Sequence, residues 1–369
     1  MVRAYSRWIF GVGIILLGGL FVPPTEAQVA DTATVDEVLH TPRNTWDNVD
    51  TPAVWHGSEG QHWLLTTAKE GDVIRVHDAA TGDPIRRVGG AGDELGEFDR
   101  PNGVAVIDDL MIVVERDNRR VQVFSLPSFE PLGAFGQPLG WQQAVGEGGE
   151  RFRLPYGLTV YKQDNGTYML YVTDAFAEPD ESVPPSSELD QRVKQFRFTV
   201  DDGRLRHQHI RNIGATSGPG RLKVVESLWA DPAHDRLLIA EEKAGEAQIK
   251  VYTLDGTFTG TTISSEYFQS EAEGIMLYEC GTDDGYWLTT DQSETQNTFH
   301  LFDRASLEHV GAFRGETVTN TDGIFATEQA FGPFENGAFY AVHNDRGTVA
   351  FDWTDIAAAL DLERTCAAR

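Results

Sequence analysis

Lysine and cysteine are scarce in this chain, and the familiar catalytic signatures are missing. Six lysines and two cysteines, Cys280 and Cys366, stand against 57 acidic residues, and the net charge is −27. That excess excludes nucleic acid as a partner, because phosphates need a basic face. It keeps a surface soluble by self-repulsion and attracts divalent cations. Ten histidines show no zinc spacing, and two cysteines so far apart are no metal motif. In an oxidising compartment the two could pair. Gly-x-Ser-x-Gly, the phosphate-binding glycine loop and His-Glu-x-x-His are all absent. Gly89-Gly-Ala-Gly92 opens a strand rather than a helix, which rules out a nucleotide reading.

Beyond the first residues no stretch is apolar enough to cross a membrane. Arg3 and Arg7, the apolar run Ile9 to Val22, and Pro23-Pro-Thr-Glu-Ala27 follow the order of a secretory signal. Residues 1–27 are therefore expected to be removed on export to the periplasm or medium, leaving no membrane contact. Residues 28–44 read as a polar extension that wraps or trails before the first blade. Residues 45–360 read as one domain, whose 20 Phe, 10 Tyr and 8 Trp can fill a large core.

That domain repeats itself six times. A short motif of a polar residue, a small residue and alternating apolar residues recurs along the chain. It is found at Thr51–Trp55, Pro101–Val106, Pro155–Val160, Glu226–Ala230, Glu273–Leu277 and Thr321–Phe325. Each copy precedes a second apolar strand and a third with period-two alternation, as in Val73-Ile-Arg-Val-His-Asp78; a turn and a fourth strand usually follow. Alternation between turn signals means half-buried antiparallel strands. Four strands in units of roughly 50 residues have the size of propeller blades. The expected fold is all-β: a six-bladed β-propeller of four-stranded antiparallel blades, present as a monomer. The third unit carries an insertion, Ala175 to Leu189, which reads as a surface loop.

Carboxylates recur at matched places of the repeats. Asp50, Glu226, Glu271, Glu273 and Asp322 lie at repeat starts, and Glu241 and Glu242 end the second strand of unit four. In a propeller, matched positions form a ring around the axis. Converging carboxylates repel unless cations sit among them, and all-oxygen ligands favour Ca²⁺ over transition metals. The few basic partners at comparable places are Lys69 and Arg116, and Tyr156 opens unit three. Together these three could hold a phosphate.

These segments resemble the β-propeller phytases. The resemblance rests on Asp50-Thr-Pro-Ala-Val-Trp55, Thr66-Thr-Ala-Lys69, Tyr156-Gly-Leu-Thr-Val-Tyr161, Glu226 with Ile239-Ala-Glu-Glu242, Glu271-Ala-Glu-Gly-Ile275 and Thr321-Asp-Gly-Ile324. The matches run collinearly over about residues 45–355. The resemblance implies several Ca²⁺ ions held by Asp50, Glu226, Glu242, Glu271, Glu273 and Asp322, and phosphate contacts from Lys69, Arg116 and Tyr156. It further implies calcium-dependent hydrolysis of phosphate monoesters such as phytate, by attack of a positioned water. Three places depart from the family pattern: Thr51 replaces a second Asp, Glu271 replaces a metal-binding Asp, and Asp174-Ala-Phe-Ala lacks a lysine. A second resemblance, to NHL repeats, covers Gly92–Val106 and Glu115–Phe124, with a fainter copy at Phe152-Arg-Leu-Pro-Tyr-Gly157, and so spans units two and three. The competing functions are a non-catalytic exported propeller that binds a protein or ligand partner, and a calcium-propeller esterase or lactonase with one central ion.

Overall fold

The computed structural model describes residues 32–136, 151–180 and 182–362. The proposed signal segment, residues 1–27, lies outside them. Six sheets of antiparallel strands form six blades, as the alternation requires. The strands nearest the axis are Val49–His56, Pro101–Ile107, Pro155–Lys162, Leu228–Asp231, Glu271–Cys280 and Ile324–Thr327. Three further strands step outward from each of these in chain order in blades one to five. No helix among the described residues is long and apolar enough to cross a membrane.

Side chains from facing blades interdigitate to make the core. Between blades two and three, Val114, Val123 and Phe135 meet Leu170 and Phe196. Between blades five and six, Phe299 and Phe313 meet Phe339 and Phe351. Near the axis, threonines lace neighbouring blades together. Thr67 Oγ1 accepts from Thr51 N–H at 2.9 Å and donates to Asn102 O of blade two at 2.7 Å. Thr173 Oγ1 accepts from Gly157 N–H at 2.8 Å and donates to Glu226 O of blade four at 2.9 Å.

Blade six departs from the expected chain order. Its outermost strand is Leu39–His40, paired antiparallel with Gly347–Asp352, and Ala33–Thr34 runs parallel to His309–Arg314 of blade five. The segment expected to precede the first blade therefore belts blades five and six and closes the ring. The short helix Trp353–Ala359, capped by the Asp352 side chain, takes the place of a further strand after blade six. The insertion of blade three is a surface loop, as expected, pinned by buried Phe176 beneath the Arg153 and Arg192 guanidinium groups. Cys280 is disulfide-bonded; Cys366, its expected partner, lies outside the described residues.

Candidate functional site

Strand parity decides which carboxylates reach the channel. Successive residues of a strand point to opposite sides. At the end of each second strand, one residue turns toward the segment leading into its own blade's inner strand, and the next turns to the axis. In blades two to six the first of each pair acts as a clamp; in blade one it is Ala68, which has no polar side chain. Glu115 accepts from Asp99 N–H at 3.2 Å and pairs with buried Arg120. Asp174 accepts from Arg153 and Leu154 N–H at 3.0 and 2.6 Å, and Lys194 lies 3.6 Å away. Glu241 accepts from Lys223 and Val224 N–H at 2.8 and 3.0 Å and from Lys250 Nζ at 3.0 Å. Asp291 accepts from Ser270 N–H at 2.9 Å, and His343 Nδ1 takes the same role toward Thr319 N–H at 3.2 Å.

The second of each pair is Lys69, Arg116, Ala175, Glu242, Gln292 or Asn344. A few residues beyond each of these segments, Asp50, Asn102, Tyr156, Glu226, Glu273 and Asp322 lie within two residues of the start of an inner strand. Register irregularities at four of these starts, 49–52, 101–103, 155–158 and 273–275, are bulges of the kind that re-aim side chains. Glycine is required beside two of them. A Cβ on Gly157 would sit 2.1 Å from Glu226 O, and one on Gly323 would sit 2.5 Å from Asp50 O. The ring lies at one end of an axial cavity of about 300 Å³, whose walls further along are Val104, Leu158, Leu228, Ile275 and Phe325.

Within the ring the charges divide into two groups. On one side Lys69 Nζ lies 2.6 Å from Asp50 Oδ2 and 3.3 Å from Asp322 Oδ2. Tyr156 OH donates to Asp50 Oδ2 at 3.1 Å and accepts from Lys69 at 3.3 Å. Gln292 Nε2 donates to the other oxygen of Asp322, and Thr51 Oγ1 donates to Asp50 Oδ1 at 2.8 Å. On the other side, Glu226, Glu242 and Glu273 each offer a carboxylate oxygen, all within 4.8 Å of one another. Glu242 Oε1 accepts from the backbone N–H of Glu226 at 3.0 Å and of Ser227 at 3.4 Å, and Ser227 Oγ donates to Glu273 at 3.5 Å.

Burial and mutual repulsion raise these acids above the ordinary carboxyl range. Glu226 is pushed up to about 8 by burial and then by Asp50. Asp322 is pushed up to about 7 by burial and by Asp50. Glu242 and Glu273 are raised by burial and then by each other's side of the cluster, Glu226 acting on Glu242 and Glu242 on Glu273. Burial opposes the charge of Lys69, but Asp50 and Asp322 more than reverse it and hold the ammonium above the ordinary lysine range. Burial and then Asp50 raise Tyr156, so its hydroxyl stays protonated and donates.

The donor set fits a hard cation. Calcium–oxygen distances of about 2.3–2.6 Å let three oxygens at this spacing share one ion. Asn102, fully buried at the matching place of blade two, leaves both amide atoms without a partner among the described residues. A buried amide in that state marks a place where water or an ion completes the bonding.

Of the residues singled out in the sequence, Asp50, Lys69, Tyr156, Glu226, Glu242, Glu273 and Asp322 meet in the ring. Arg116 lies at its rim, 28 % exposed and paired with Asp117 at 2.7 Å. Glu271 is exposed and outside the three-oxygen cluster, although its charge reaches Glu242. Glu241 belongs to the clamps. Sequence reading missed Gln292, Ser227 and Asp345, whose charge helps to raise Asp322 from the hairpin after the second strand of blade six. Counting one residue past each clamp finds Gln292; nothing in the repeat marks Asp345.

No family model matches the sequence, and no curated protein does. Solved structures do. Hydrazine synthase from Kuenenia stuttgartiensis aligns at 11% identity and TM-score 0.52, over 87% of this chain and 82% of that one. Regucalcin, a calcium-binding protein from Agrobacterium tumefaciens, aligns at 10% identity and TM-score 0.47, over 86% and 95% of the two chains. At such identity the likeness to hydrazine synthase shows the propeller fold alone.

Proposed function

We propose that this protein is a calcium-dependent hydrolase of phosphate monoesters, with phytate as substrate, acting at the carboxylate ring. The observation that carries the reading is convergence. Seven residues drawn from five blades, each picked out by its resemblance to a phytase motif, meet around one end of the channel.

Glu226, Glu242 and Glu273 would hold the cation, with Asp50 and Asp322 beside them. Bound calcium supplies positive charge to an anionic ester and an acidified water for attack. The chain's own groups do the rest. Tyr156 donates a hydrogen bond into the ring, Lys69 offsets the charge of Asp50 and Asp322, and Arg116 at the rim brings a cationic donor that suits phosphate oxygens. Gln292 and Ser227 orient the carboxylates they bond. Asp322 and Arg116, 18 % and 28 % exposed, keep the ring in contact with solvent, from which a phosphate can approach.

A second reading, a one-ion esterase or lactonase of the calcium-propeller type, is favoured by one observation. Among the described residues, three acids gather without a lysine among them, and the cavity beyond has apolar walls suited to an aliphatic group. Phosphate release from phytate is the test, with calcium and then with excess chelator. Calcium-dependent release that falls at least a hundredfold in Glu273→Gln supports the phosphatase. Calcium binding with no release, but with turnover of a lactone or aryl ester, moves the second reading to first place.

A further inference from the structure

We infer that the Lys69 ammonium is a tethered counterion that fills a second cation position of the ring, so that the native protein holds one divalent ion there and loses the capacity for another. This rests on the cation-binding part of the reading above and is independent of the substrate.

The argument is one of matched positions. Lys69 and Glu242 hold the same place in blades one and four, each one residue past the clamp position. Six blades put those two on opposite sides of the axis. The inner strands behind them both contribute acids: Asp50, with Asp322 of the neighbouring blade, and Glu226, with Glu273 of the neighbouring blade. Each half therefore combines two acids near inner-strand starts with one second-strand residue, although the neighbouring blade precedes blade one in the first half and follows blade four in the second. On the Glu242 side the third member is a carboxylate, and three acids face one another within 4.8 Å. On the Lys69 side the third member is an ammonium, 2.6 and 3.3 Å from the two acids.

An ammonium and a hard divalent ion compete for the same oxygen lone pairs. Lys69 is 8 % exposed and Asp50 3 %, so the ammonium cannot give way without leaving Asp50 buried and unpaired, which is costly. Tyr156 closes the arrangement by bonding both Lys69 and Asp50. Four polar groups from blades one, three and six thus form a closed ion-paired cluster without a metal, in which one ammonium faces two carboxyl groups.

The test is a calcium titration by calorimetry of the whole protein, stripped of metal, at physiological ionic strength and without substrate. Native protein should bind one ion in the ring, lost in Glu273→Gln. Lys69→Met should bind two, and the gained ion should vanish in Lys69→Met/Asp322→Asn. Calcium should raise the melting temperature of Lys69→Met by more than that of the native protein. If Lys69→Met does not fold without metal, Lys69→Gln, which keeps a polar side chain of similar reach, serves in its place. A folded Lys69 variant with unchanged stoichiometry and an unchanged calcium response overturns the inference while leaving the Glu273 site standing. Native protein with two ring ions, both lost on altering ring acids, also overturns it. No ring ion in any variant sinks the cation reading itself.

Discussion

Two sets of acids, adjacent in the sequence at Glu241 and Glu242, are held by different partners. The clamp acids Glu115 and Glu241 each have a buried cation and one or two backbone N–H donors, and Asp174 has two such donors with Lys194 nearby. The ring acids Glu226, Glu242 and Glu273 face one another instead. Burial raises acids of both sets, Glu115 and Asp174 among the clamps as well as those of the ring. These clamps meet it with buried cations, whereas the ring acids have one another and a few N–H and O–H donors. Clamps belong to folding; the ring stores a repulsion that a ligand can relieve. The adjacency is also causal, because each clamp fixes the segment from which the ring residue projects.

Breaking a clamp should cost the most. Glu241→Ala strands Lys250 in the core and orphans the Lys223 and Val224 N–H groups, so about 3–5 kcal/mol of unfolding free energy should be lost. Urea unfolding measures this. The same substitution should leave calcium unable to rescue the fold, since the lost partner is not in the ring.

Titrating the ring should have the next largest effect, and of characteristic sign. Glu226 at about 8 and Asp322 at about 7 lie above the ordinary carboxyl range. The folded chain then keeps protons that the unfolded chain has released. Its stability is full below the unfolded values and falls as pH rises through the folded ones, toward pH 7 to 8. Melting temperatures in chelator should therefore drop over that window, whereas calcium should flatten the profile. A flat profile in chelator would erase the contrast between the two sets.

The smallest effect should come from the seam between them. Gly157→Ala places a methyl group against Glu226 O and should cost about 1–3 kcal/mol through displaced backbone. Because that backbone carries Glu226, calcium affinity should weaken along with stability, unlike an equal loss at a distant blade.

The propeller was legible because alternation and turn signals repeat at one spacing, so each unit reinforces the next. Most of the ring was legible for the same reason, since matched positions in repeats become neighbours around an axis. What escaped reading lacked a repeat to support it. Leu39–His40 is too short to read as a strand, and only its distant partner makes it one. Glu241 and Glu242 look equivalent until strand parity separates them. Asp345 sits in a turn, where side-chain direction follows from local backbone rather than period. Lys69 was visible as a charge, but its engagement by Asp50 and Asp322 depends on distances across three blades.

Closure by Leu39–His40 has a consequence for biosynthesis. Leu39 pairs with Ala350, so a strand synthesised before the first blade must wait for the last strand of the sixth. Until then blade six offers a free sheet edge, a template for wrong pairing. A nascent chain of this design gains nothing from being mostly finished: the circle is either complete or open, and a truncation short of Asp352 should behave as an aggregating fragment rather than as a smaller propeller.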